Sequence, residues 1–80
     1  MVNLDGNWGI VDKTGEFIVE PKFELGSVFS EGVVVTKLDG QYGFIDRLGN
    51  TVIDFKYNDA KNYSDGLAAV SLNEKWGFIN

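Results

Sequence analysis

The side chains in this sequence that could do chemistry are mostly carboxylates and aromatics. Twelve Asp and Glu stand against seven Lys and Arg, with no histidine and no cysteine. Three pairs keep one spacing: Asp5 with Asp12, Asp39 with Asp46, and Asn73 with Asn80. Oxygen ligands repeated in this way suggest a calcium site, and paired carboxylates are the equipment of glycoside hydrolysis. Both readings are weak. The pairs fall in turn sequences, where Asp and Asn serve by bonding nearby backbone amides, and no dense D-x-D-x-D-G loop is present. Lack of His and Cys removes Ser-His, Cys-His and His-ligated metal chemistry. No Gly-rich phosphate loop appears. The sequence predicts no enzyme, no bound metal and no cofactor.

Aromatics offer a second chemistry. Trp8, Tyr42 and Trp76 are each followed by glycine (Gly9, Gly43, Gly77), and such rings could stack on sugars in a carbohydrate- or cell-wall-binding module. The alternative is structural: a ring next to glycine, inside an apolar strand, is more often part of a core.

These residues recur because the whole chain recurs. Asp5-Gly6-Asn7-Trp8-Gly9-Ile10-Val11-Asp12 returns as Asp39-Gly40-Gln41-Tyr42-Gly43-Phe44-Ile45-Asp46 and as Asn73-Glu74-Lys75-Trp76-Gly77-Phe78-Ile79-Asn80. Trp8 to Tyr42 and Tyr42 to Trp76 are both 34 residues, with no insertion. Residues 5–38 and 39–72 are therefore tandem copies, 73–80 begins a third, and 1–4 is a partial strand. Gly15 matches Gly49 and Gly32 matches Gly66. A residue that recurs in register is explained by the fold, whereas an active site is normally built once.

Eighty residues make one small domain, and 44% hydrophobic content supplies a core. A net charge of −5 argues against nucleic-acid and anionic-membrane partners. Met1 to Asp5 carries neither a basic nor an apolar leader region, and no apolar run has the length of a spanning helix, so the chain is expected to be soluble. Its compartment is unknown. Asn62-Tyr63-Ser64 fits a glycosylation pattern too short to carry weight.

Within a copy, β-branched and aromatic runs alternate with turn residues, and no helical stripe appears; the class is all-β. The first strand is Val33 to Leu38 (Leu67 to Leu72), turned at Asp39-Gly40 into a second, Gln41 to Asp46. Gly49 (and Gly15) suits a left-handed turn position before a third strand, Thr51 to Phe55. A short fourth strand is expected over Gly26 to Ser30 or Ala60 to Ser64, before the turns Ser30-Glu31-Gly32 and Ser64-Asp65-Gly66. Pro21 confines the third strand of the first copy to an edge, or ends it. Apolar residues on both strand faces predict three- to four-stranded antiparallel meanders, stacked like propeller blades or solenoid coils. The glycine beside each aromatic leaves a notch for a neighbouring sheet or ring.

Trp8-Gly9 and Trp76-Gly77, the Ile/Phe-Val/Ile-Asp/Asn that follows them, and the upstream Phe29-Ser30-Glu31-Gly32 and Tyr63-Ser64-Asp65-Gly66-Leu67-Ala68-Ala69-Val70 resemble the bacterial WG-repeat family over essentially the whole chain. Tyr42 replaces the tryptophan in the middle copy. The resemblance implies a β-rich array generally without assigned activity, usually taken for a scaffold or interaction surface, and brings no functional residue to carry over.

Positions where the copies disagree point to contacts. Leu25 and Val28 stand where the second copy has Asp59 and Asn62, which makes them interface candidates. Because residues 1–12 and 69–80 duplicate one part of the repeat, the two ends cannot complete a sheet together. Residues 76–79 are then expected to form an open edge beside an uncovered face. This predicts a homo-oligomer, most simply a two-fold dimer, with Trp76 and Phe78 at its contacts.

Overall fold

A computed structural model describes residues Met1–Asn80 as nine strands without helix. They form three antiparallel sheets: β1 (Val2–Leu4), β2 (Asn7–Val11) and β3 (Phe17–Phe23); β4 (Val33–Leu38), β5 (Gln41–Asp46) and β6 (Thr51–Tyr57); β7 (Asp59–Ala60), β8 (Ala68–Leu72) and β9 (Lys75–Ile79). The sheets follow one another without closing into a ring, and the molecule measures 39 × 25 × 15 Å.

Turn chemistry fixes the meander. Asp39 and Gly40 have φ of 52° and 80°, and Asp5-Gly6 and Asn73-Glu74 likewise have positive φ at both positions, the geometry of a two-residue hairpin that matches strand twist. Glu31-Gly32 and Asp65-Gly66 do the same between the bridged pairs Ser30/Val33 and Ser64/Leu67. Gly15 and Gly49 lie at φ 90° and 88° in the turn before the third strand. Asp12 and Asp46 close those turns, with Asp12 Oδ1 accepting from Thr14 N, Thr14 Oγ1 and Glu16 N, and Asp46 Oδ1 from Leu48 N and Asn50 N.

Three expectations need correction. The third strand runs on past Pro21 to Phe23, and its counterpart to Tyr57, because it bulges: two steps along β2, from Trp8 to Ile10, face four along β3, from Phe23 to Val19. The bulge and the edge position of β3 leave proline no ladder bond to supply. The fourth strand is shorter and earlier than expected, only Asp59–Ala60 in one copy and a single Leu25/Lys37 bridge in the other. It pairs forward, Asp59 with Ser71 and Ala60 with Val70, and so belongs to the following sheet. Finally, the strand expected from Leu67 begins at Ala68, since the β8–β9 ladder ends at the Ala68/Ile79 pair, whereas its counterpart Val33 still pairs with Asp46.

The core lies in two layers on either side of the middle sheet. Val34 and Ile45 point to the first sheet and join Ile10 and Phe23; Val35 and Phe44 point to the third and join Tyr57, Ala60, Ala68 and Val70. Strand alternation thus sends adjacent valines into opposite layers, which is how the middle sheet is buried on both faces. Phe23 stacks with Phe55 at 6.1 Å, and Phe44 meets Tyr63 edge-on at 5.2 Å.

Candidate interaction site

The motif residues occupy three equivalent places with three different surroundings. Trp8 and Ile10 project from β2 toward the second sheet, and Tyr42 and Phe44 from β5 toward the third; Trp76 and Phe78 project from β9 in the same sense, toward no sheet. Ile10 is 4% exposed and Phe44 0%, whereas their equivalent Phe78 is 74% exposed and Trp76 53%. The chain buries Trp8 partly by laying Gly26 against its indole, so closely that any side chain at residue 26 would collide with the ring. Ala60 stands at that place beside Tyr42 in the second copy and is itself buried. Trp76 has the Lys61 ammonium over its ring, with Nζ 5.8 Å from the centroid.

The neighbouring glycines divide in the same way. A side chain at Gly9 would meet the Val19 carbonyl oxygen at 2.6 Å and Pro21 N at 2.9 Å; at Gly43 it would meet the Ile53 carbonyl oxygen at 2.8 Å and the Phe55 ring at 2.9 Å. The notch expected from sequence is therefore filled mainly by the bulging third strand of the same sheet. At Gly77 nothing lies within 4 Å. Gly15, Gly32, Gly49 and Gly66 serve turns, and of these only Gly49 is also tightly packed, against the side chain of Val19 in the preceding copy.

Leu25 is half-buried by its bridge to Lys37, and its carbonyl accepts the Thr36 hydroxyl at 2.6 Å. Val28 is 76% exposed. Its carbonyl accepts from Asn62 Nδ2 at 2.8 Å, while Asn62 Oδ1 accepts Val35 N–H at 2.8 Å and Nδ2 also reaches Ser27 Oγ at 3.1 Å. Asn62 thus ties one copy to the next. Glu31 does so too, its carboxylate accepting Gly66 N–H, and Ser30 Oγ donates to the Tyr63 carbonyl. None of these roles follows from residue type. The clue for Asn62 was that an amide replaces an apolar residue between otherwise matched copies.

At the opposite end, Met1, Val11, Ile18, Phe29 and Arg47 line an open groove of about 400 Å³, with the Arg47 guanidinium 4.8 Å above the Phe29 ring. No three acidic side chains are placed together so as to hold a metal ion.

A family description, WG containing repeat, matches residues 8–42 and again 42–76. The chain belongs to the WG-containing repeat family. The two matches meet at Tyr42, so the unit counted from one motif aromatic to the next is one structural copy: β2, β3 and the forward-pairing segment, then β4 up to β5. Neither the curated proteins nor the solved structures contain a significant match to this WG-repeat chain.

Proposed function

We propose that this WG-repeat chain is a non-enzymatic protein-interaction module that self-associates through the outer face of its third sheet, most simply as a two-fold dimer. The observation that carries the reading is the exposure of Trp76 and Phe78 at positions that the two preceding copies cover. Large apolar groups set side by side on a strand with a free edge favour burial against another protein surface. Val28 is exposed on the loop between β3 and β4. The same reading takes the array as an open, solenoid-like stack, to which surfaces add at the third sheet, in preference to a propeller.

Sedimentation equilibrium tests it. Mass should rise with concentration above the 8.9 kDa monomer, and Trp76→Ser with Phe78→Ser should return the chain to monomer while its circular dichroism stays unchanged. A folded monomer into the high-micromolar range overturns the reading.

Carbohydrate binding is the second reading, favoured by the open indole of Trp76. Stacking needs a free ring face, and Trp8 and Tyr42 are each half-buried. Glycan retention on an affinity gel that is lost in a folded Trp76→Ala variant would displace the interaction reading.

A further inference from the structure

We propose that the glycines Gly9 and Gly43 each seat a bulge that closes the outer edge of β3 and of β6 to strand pairing, so that copies, and chains, meet through sheet faces and not through these edges. This concerns a side of the molecule that the face contact at Trp76 and Phe78 does not use.

β3 and β6 are edge strands by topology, each paired on one side only, to β2 and β5. β6 lies well inside the chain, in the sheet that is packed on both faces, so its free edge belongs to the repeat itself. Its composition makes that edge a hazard. Thr51, Val52, Ile53, Phe55 and Tyr57 are all β-formers, and a short run of such residues without charge, on an unpaired edge, recruits strands from other chains.

The bulge answers the hazard. Four steps along the third strand face two along its partner, from Phe23 to Val19 and from Tyr57 to Ile53, which takes the middle of the edge out of straight register. The glycine makes room for it: a side chain at Gly9 would lie 2.9 Å from Pro21 N, and one at Gly43 would lie 2.9 Å from the Phe55 ring, which also stacks on Phe23. Pro21 and Phe55 are thereby half-buried, while the residues on either side, Glu20 with Lys22 and Asp54 with Lys56, stand exposed. An incoming strand would have to desolvate an acid and a base in each copy. Before the bulge lie only residues 17–19 and 51–53, themselves broken by a second shift of register. The two copies keep the sign of charge at each place while Glu changes to Asp and Pro to Phe. Pro21 adds a further block in the first copy, since it has no N–H to offer a partner.

The test replaces the flanking charges by threonine, a polar β-former, and follows thioflavin fluorescence and soluble protein during incubation at high concentration. Every variant is read only where its initial circular dichroism matches that of the natural chain. Asp54→Thr with Lys56→Thr keeps the net charge at −5 and should lose soluble protein to thioflavin-binding fibrils under conditions in which the natural chain stays in solution. The exchange Asp54→Lys with Lys56→Asp should stay in solution. So should Lys13→Thr with Glu16→Thr, which removes one acid and one base from the β2–β3 turn. In the first copy Glu20→Thr with Lys22→Thr should remain soluble because Pro21 is still present, and adding Pro21→Thr should open the edge; this pair decides the matter if the β6 variant fails to fold. A folded Asp54→Thr, Lys56→Thr protein as soluble as the natural chain, fibrils formed equally by the charge-exchanged or turn variants, or equal solubility of the two first-copy variants would each overturn the proposal. Repeating the set with Trp76→Ser and Phe78→Ser separates edge from face: fibrils that persist come from the edge, whereas fibrils that vanish belong to the third-sheet face, which removes the edge proposal and leaves the proposed function standing.

Discussion

At the scale of single residues, the same side chain has different consequences in the two copies. Gly15 and Gly49 share a left-handed φ, and a β-branched residue there carries about 1–2 kcal/mol of backbone strain. Gly15 opens on free space, while a side chain at Gly49 would also strike Val19. We expect Gly15→Val to cost about 1–2 kcal/mol and Gly49→Val about 3 kcal/mol or more, because crowding a packed site adds to the strain; urea midpoints of the two variants check the difference. The turn aspartates respond to pH. A side-chain bond from Thr14, then backbone amides, hold the Asp12 carboxyl below its ordinary value of 3.8, and the backbone N–H of Asn50 foremost does so for Asp46. A lowered folded pKa means that the turns contribute fully above pH 3.8 and lose that contribution as pH falls below 3.8 through the depressed values. Carboxyl NMR titration should find both groups ionising below free aspartate, and replacing both with Asn should flatten the acid limb of the stability curve.

At the scale of elements, strands supply the apolar packing between copies, and loops supply most of the side-chain hydrogen bonds. Asn62 receives the Val35 N–H and spans to Ser27 and Val28, so Asn62→Ala strands a part-buried donor and should cost about 1–3 kcal/mol in urea unfolding. Asn62→Val, which restores the residue type of the first copy, should fare no better, since the Val35 N–H still lacks an acceptor. Hairpin turns and most strand boundaries were legible in sequence because Asp-Gly and Gly carry their backbone instruction locally. The forward pairing of Asp59–Ala60 was not, since nothing in those residues says which sheet supplies the partner. The bulge was half legible: the glycine marked a close approach, but that the third strand makes it depends on pairing register.

At the scale of the molecule, stability should grade from the middle sheet outward. The middle sheet is packed on both faces, while the first and third sheets are packed on one. Hydrogen exchange should therefore be slowest in β4 and β5 and fastest in β1 and β9. Phe44→Ala, which empties a site packed by both Tyr63 and the third sheet, should cost about 3–5 kcal/mol and unfold the small array as a whole. Equal exchange across the three sheets would refute the gradient. The sequence by itself determined the all-β class, the 34-residue period, the turn glycines and the family, because repetition and turn chemistry are local properties written once per copy. Only the tertiary structure decided which of the equivalent rings are covered. Trp8, Tyr42 and Trp76 are nearly interchangeable in sequence, and what separates them is the presence or absence of a third strand and a following sheet, which no residue within the motif encodes.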